Sequence, residues 1–248
     1  MGVPGWLTAR PIAHRGLHDH AAGIPENTIA AAEAAIAGGY AIECDVQPSA
    51  EGEALVFHDE ALGRLTEISE PTASRTTAEL TALQVAGTQE RIPTLSAFLA
   101  CITGRTPLIV EIKTQFNGDL TLTRRVAEIA NAYRGPIALK SFDPGIVGAL
   151  AELAPELPRG IVAEKRQDDP SYAKLPPRER LALSDLLHLH ESRPTFLSWR
   201  VDDLPGAVPY LCRHLGKMPV MTWTVRTESQ RALAAAHADQ IVFEGFRP

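Results

Sequence analysis

Cysteine is scarce in this sequence: Cys44, Cys101 and Cys212 are odd in number and have no CxxC spacing. That pattern excludes a disulfide framework and leaves buried thiols in a reducing compartment as the expectation. Basic charge is also short, with 24 Lys+Arg against 30 Asp+Glu and a formal net charge of -6. Nucleic acid and anionic membrane surfaces need clustered Lys/Arg, so neither is an expected partner, and an anionic substrate needs a local positive site. No stretch approaches the ~18 apolar residues of a membrane-spanning helix, so no stable membrane insertion is expected. The leader MGVPGWLTAR has one Arg and no apolar run of signal-peptide length, which points to a cytoplasmic protein. There is no internal repeat and no low-complexity tract.

What is present is an alternation of strand-like and helix-like runs. With 248 residues, 45% of them hydrophobic, the chain can bury a large core as a single domain over residues 1–248. Strand-like runs start at Pro11, Tyr40, Leu108, Ile137, Gly160, Thr195, Pro219 and Gln240. Helical runs separate them: IAAAEAAIA after Asn27 and Thr28, 94–101, 120–133, 144–153, a looser one within 177–188, 204–214 and 228–236. Eight βα units predict an α/β fold, a (β/α)8 TIM barrel, with an open doubly wound sheet as the alternative. Residues 60–91 lack strand-like runs and are too short and polar to bury a core of their own. They read as a small insertion over the C-terminal mouth, in the position of a lid.

The polar residues inside the strands carry the chemistry. Parallel barrel strands are apolar on both faces except near their carboxyl ends, where active sites form. In AIECDV, Glu43 and Asp45 share one face while Ile42, Cys44 and Val46 share the other. In LIVEIK, Ile109, Glu111 and Lys113 share a face, with both charges in the last half. A single strand of this kind is more often a half-exposed strand with its polar face in water; two of them within a βα alternation favour convergence. Glu43, Asp45 and Glu111 then make an all-oxygen set suited to a divalent metal, Mg²⁺ or Ca²⁺ rather than Zn²⁺. Lys113 reaches the same place as a phosphate contact or, alternatively, as an ion pair with Glu111.

His14 and His58 each end an apolar run. A lone histidine there is usually structural, but two of them beside an acid cluster suit phosphodiester cleavage, in which one group accepts a proton and another donates one. Arg15 can neutralise phosphate oxygens through its guanidinium fork. Trp223, near the end of PVMTWTV, can wall a pocket or pack in the core. His18 and His20, and His188, His190 and Glu191, lack metal-site spacing and read as solvated loop residues. Lys140 and Asp143 flank Ser141-Phe142 at a strand end, and periodicity leaves their roles open.

These residues stand in motifs: AHRG at 13–16, PENT at 25–28, ECD at 43–45, LVFHDEALGRLT at 55–66, IPTL at 92–95, VEIK at 110–113, SFD at 141–143 and WTV at 223–225. In this order over nearly the whole chain, they resemble the glycerophosphodiester phosphodiesterase family. The resemblance implies His14 and His58 as the acid/base pair, Glu43, Asp45 and Glu111 as metal ligands, Arg15 and Lys113 as phosphate contacts, and Trp223 at the pocket wall. It implies a small-molecule glycerophosphodiester substrate cleaved to an alcohol and glycerol 3-phosphate. Cleavage of a lysophospholipid or another phosphodiester to a cyclic phosphate is an alternative, as is a non-catalytic phosphodiester-binding barrel. Glu67, Arg226 and Phe243-Glu244 depart from the family pattern, away from the acid/base and metal positions.

Overall fold

The computed structural model describes residues 3–166, 168 and 172–248. Its strands are β1 (Ile12–Ala13), β2 (Ala41–Pro48), β3 (Ala54–Val56), β4 (Leu108–Ile112), β5 (Ile137–Ser141), β6 (Arg159–Ala163), β7 (Phe196–Arg200), β8 (Val220–Val225) and β9 (Gln240–Phe243). The helices are α1 (Ile29–Ala37), α2 (Thr77–Ala82), α3 (Leu95–Ile102), α4 (Thr121–Ala132), α5 (Pro144–Leu153), α6 (Pro177–Ser184), α7 (Leu189–Ser192), α8 (Ala207–His214) and α9 (Glu228–His237). Strand order is β1-β9-β8-β7-β6-β5-β4-β2-β3, with β1 also paired to β2. This is a (β/α)8 barrel, as the alternation predicts, and not an open doubly wound sheet. No helix among the described residues is long and apolar enough to cross a membrane.

The strand outside the barrel count is β3. It pairs antiparallel to β2, with Val46 opposite Val56 and Pro48 opposite Ala54, so the chain doubles back at the end of β2. The two strand starts expected on proline each move by one residue, because proline has no N–H to give the ladder: β1 begins at Ile12 and β8 at Val220. Helix α8 starts only at Ala207, because Pro205 and Gly206 keep the preceding backbone out of the helix.

Two compact units make up the chain, Ala13–Lys113 with Leu120–Ile137, and the described remainder. In the first, α1, α2 and α3 begin on threonine caps. Thr28 Oγ1 accepts from the Ala31 amide, Thr76 and Glu79 form a capping box, and Thr94 caps α3. β2 and β4 are parallel and almost wholly buried, with Ile42, Cys44 and Val46 on one face of β2.

The segment 60–91 belongs to the first unit and departs from expectation. Leu62, Leu80, Val85 and Ile92 are buried in one cluster with Leu55 and Phe57, and Leu65, Ile68 and Leu83 pack against it. Its apolar residues have no regular period, so the sequence pattern hides them. The segment is thus anchored through a small core that it shares with Leu55, Phe57 and Ile92, at about 1.5–3 kcal/mol per large apolar side chain. The cysteines also split: Cys44 and Cys212 are buried, but Cys101 is only half-buried, since it lies on α3 with its Sγ at 3.1 Å from Glu33 Oε1.

Candidate metal and phosphate site

Register brings the acids together. Glu43 lies opposite Ile109 and Asp45 opposite Glu111 in the parallel β2–β4 pair, so the alternate residues of both strands project to one face. A ligand atom from each of Glu43, Asp45 and Glu111 lies within 4.8 Å of the others. All three are buried, Glu43 and Asp45 to 1% exposure and Glu111 to 5%, which overturns the solvent-facing alternative. Three carboxylates held this close and this dry need positive charge between them.

The HRG turn fixes one end of this set. Arg15 and Gly16 both take positive φ, 56° and 78°, which carries the chain sharply out of β1. The turn aims two amides at β2: Arg15 N–H donates to Glu43 Oε2 at 3.1 Å, and Gly16 N–H donates to the Glu43 carbonyl at 3.1 Å. Asn27, also at positive φ, clasps the other acid. Its Nδ2 donates to Asp45 Oδ2 at 3.0 Å while its Oδ1 accepts from the Asp45 amide at 3.2 Å.

Two cations reach the acids. Lys113 Nζ is 2.7 Å from Asp45 Oδ1 and 2.5 Å from Glu111 Oε1, so the ion pair with Glu111 exists and is shared. Arg15 Nε lies 3.4 Å from Asp45 Oδ2, and its Nη1 is 2.7 Å from Glu26 Oε1. Burial alone disfavours the charged form of Asp45, but the charges of Lys113, His58, Arg15 and His14 outweigh it and hold the carboxyl well below the usual range. Burial likewise pushes the Lys113 ammonium down, and Asp45 and Glu111 more than reverse that. His14 and His58 thus both act electrostatically on Asp45.

His58 is held from two sides. Its carbonyl accepts from Gln47 Nε2 at 3.0 Å, and its Nδ1 is 2.7 Å from Asp59 Oδ1. Asp59 Oδ2 accepts from Arg64 Nε at 2.5 Å. Arg64 then forks onto Glu26, at 3.0 and 2.7 Å, and Glu26 holds Arg15. Glu26, Asp59 and Arg64 were visible in the sequence only as letters of PENT and HDEALGR with no role attached, and Asn27 only beside Thr28 at the start of the first helical run, where Thr28 is the cap. Their partners lie up to 38 positions away, beyond any local pattern.

The residues of this unit fit a divalent cation. The donors are oxygens only, and the carboxylates of Glu43, Asp45, Glu111, Glu26 and Asp59 outnumber the permanent cations Arg15, Lys113 and Arg64 by two. Among the described residues this triad is the one grouping of metal-ligating side chains.

Trp223 belongs to the second unit, on β8. Its indole Nε1 donates to the Ser198 carbonyl at 2.9 Å, and its ring meets Phe142 edge-on at 5.6 Å. It is half-buried, so one part of the ring packs and another is exposed. Asp143 caps α5 by accepting from the Gly145 amide at 2.8 Å and also takes the Thr114 hydroxyl at 2.8 Å. Lys140 is buried on β5. His188 is half-buried rather than solvated, with Nδ1 at 3.0 Å from Ser192 Oγ, while His20 and His190 are exposed as expected.

Residues 14–243 match the sequence model of the glycerophosphoryl diester phosphodiesterase family. YhdW of Bacillus subtilis (strain 168), whose name carries a provisional glycerophosphodiester phosphodiesterase assignment, is 31% identical over 160 residues. That match covers 61% of this chain and 64% of the relative, short of two thirds of its length. A structure from Silicibacter pomeroyi DSS-3, provisionally named a glycerophosphoryl diester phosphodiesterase, superposes with TM-score 0.76 at 25% identity, covering 98% of this chain and 91% of that one. An Oleispira antarctica phosphodiesterase solved in complex with the product sn-glycerol-3-phosphate superposes with TM-score 0.74 at 23% identity, covering 94% and 91%.

Proposed function

Since the chain belongs to the glycerophosphoryl diester phosphodiesterase family, we propose that it hydrolyses a soluble glycerophosphodiester to an alcohol and glycerol 3-phosphate. The observation that carries this reading is the buried triad Glu43, Asp45 and Glu111 with His14 and His58 in electrostatic reach of it. The product bound in the Oleispira antarctica relative supports the same substrate class. Residues 1–248 are read as one barrel domain with 60–91 as its insertion.

Glu43, Asp45 and Glu111 would hold Mg²⁺ or Ca²⁺, hard ions that suit oxygen donors. When bound, such an ion supplies Lewis-acid polarisation of a phosphoryl oxygen and lowers the pKa of a coordinated hydroxyl or water. Arg15 and Lys113 bind the nonbridging phosphate oxygens by charge-assisted hydrogen bonds and so orient the phosphorus. One of His14 and His58 accepts the proton of the attacking hydroxyl or water as the new P–O bond forms. The other gives a proton to the departing alkoxide as the old P–O bond breaks. Trp223 contributes an aromatic face for the substrate.

The test is turnover of glycerophosphocholine or glycerophosphoethanolamine with Mg²⁺ or Ca²⁺, followed by release of glycerol 3-phosphate. Activity is expected to disappear with EDTA and in His14→Ala and His58→Ala. Undiminished turnover with EDTA would overturn the metal, and undiminished turnover in either histidine variant would overturn that histidine's role.

A further inference from the structure

We propose that Asp59, braced by Arg64 from the 60–91 segment, is the positioning residue that fixes the tautomer and ring orientation of His58. The proposal rests on the phosphodiesterase reading for what His58 does, but not for how Asp59 holds it. Neighbouring positions in a chain seldom point side chains at one another, yet His58 Nδ1 and Asp59 Oδ1 are 2.7 Å apart. The two oxygens of Asp59 divide their work: Oδ1 faces the imidazole and Oδ2 takes Arg64 Nε at 2.5 Å. Arg64 is itself locked by its two-pronged contact with Glu26 at 3.0 and 2.7 Å. The carboxylate therefore cannot rotate away from His58 without also breaking its bond to Arg64, which Glu26 holds in place.

This geometry has a chemical consequence. Burial resists ionisation of Asp59, but the hydrogen bonds and charges of His58 and Arg64 overcome it and hold the carboxyl below the usual range. An ionised Asp59 has no proton to donate, so the hydrogen between the two residues belongs to Nδ1 of His58. Nε2 then carries the lone pair of the neutral ring and is the atom that exchanges a proton. When it accepts one, the imidazolium charge lies against the Asp59 carboxylate. The Gln47 contact to the His58 carbonyl fixes the backbone from which the ring swings, leaving the ring's orientation to Asp59. Arg64 ties this arrangement through Glu26 to Arg15, so the proton-transfer ring and the phosphate-binding guanidinium share one scaffold. That gives the 60–91 segment a role in the chemistry besides its packing.

The experiment is long-range ¹H–¹⁵N NMR of the histidine rings in wild type, Asp59→Asn and Arg64→Gln, alongside kcat and KM on glycerophosphocholine. Wild type is expected to show neutral His58 as the Nδ1–H tautomer. In Asp59→Asn that signature is expected to be lost or mixed, with kcat down at least ~100-fold and KM within about threefold, as for loss of a histidine-orienting carboxylate. Arg64→Gln, which changes a half-exposed side chain, is expected to give the intermediate case, with a broadened His58 signal and a smaller fall in kcat. An unchanged His58 tautomer in Asp59→Asn overturns the proposal whatever the rates do. A wild-type protein that fails to turn over the substrate overturns the phosphodiesterase reading alone, because the tautomer still decides the role of Asp59.

Discussion

Asn27 and Asp45 are joined by two hydrogen bonds, one from Nδ2 to Oδ2 at 3.0 Å and one from the Asp45 amide to Oδ1 at 3.2 Å. The pair orients a buried carboxylate by a neutral neighbour, which leaves the acid its charge. Partners of this kind around metal ligands typically account for ~10–100-fold in metal affinity. Asn27 sits at φ 58°, so Asn27→Gly removes the side chain without straining the backbone. Calorimetric titration with Mg²⁺ or Ca²⁺ is expected to show an affinity loss in that range, and an unchanged affinity would refute the orienting role.

Glu111 stands apart from the other two acids because it comes from β4. Glu111→Ala removes one oxygen donor and one partner of Lys113, which then faces Asp45 alone. Metal affinity is expected to fall by at least ~100-fold, and turnover with it. Because Glu111 is buried, a melting curve in the absence of metal accompanies the titration. Loss of metal binding in a folded variant confirms the ligand role.

Trp223 offers a different separation. With its Nε1 tied to Ser198 and one edge against Phe142, a purely packing role would cost stability and leave KM alone. A pocket-wall role predicts that Trp223→Ala raises KM by about 2- to 10-fold, the equivalent of ~0.5–1.5 kcal/mol of aromatic contact. Steady-state kinetics together with a melting curve tell the two apart.

The acid triad and the eight strands were legible for the same reason. Strands alternate with period two, so Glu43/Asp45 and Glu111/Lys113 declare a shared face as soon as the surrounding apolar runs are recognised as strands. That Asp45 lies opposite Glu111 was not legible, since register is set by which faces β2 and β4 bury together. The loop residues Glu26, Asn27, Asp59 and Arg64 escaped because turns impose no period and their hydrogen bonds span long separations. The core of the 60–91 segment escaped similarly: Leu62, Leu80 and Val85 converge through two short 3-10 turns and α2, an arrangement without a repeat to read.

The Glu26 network carries a pH signature. Burial raises the pKa of Glu26, yet the hydrogen bonds and charges of Arg64 and Arg15 dominate and lower it. A carboxyl whose folded pKa lies below its unfolded value of about 4.3 stabilises the fold above that value. The contribution is lost as pH falls through 4 toward the folded pKa. Glu26→Gln is expected to be less stable than wild type by about 1–3 kcal/mol at pH 7, and the gap is expected to narrow on acidification below pH 4. Urea unfolding at stepped pH measures it; a gap constant between pH 7 and pH 3 would show that Glu26 is not linked to the cations in this way.

Gly16 gives the test that joins backbone to site. Its φ of 78° favours glycine, and a Cβ there would lie 2.7 Å from Ala31 Cβ and 2.9 Å from the Ala31 carbonyl carbon. The obstacle includes α1 backbone, so relief requires the HRG turn and the helix to separate. Gly39 has nearly the same φ, 76°, with nothing within 4 Å of its Cβ position. Gly39→Ala therefore reports the left-handed backbone cost alone, about 1–2 kcal/mol. Gly16→Ala adds the collision and is expected to exceed it by about 1–3 kcal/mol in urea unfolding. Because the Gly16 amide also donates to the Glu43 carbonyl, and Arg15 N–H to the Glu43 carboxylate, the same displacement is expected to weaken metal binding. Gly39→Ala should leave it untouched. Equal destabilisation by both substitutions, with metal affinity preserved, would mean that the turn can yield without disturbing the acids.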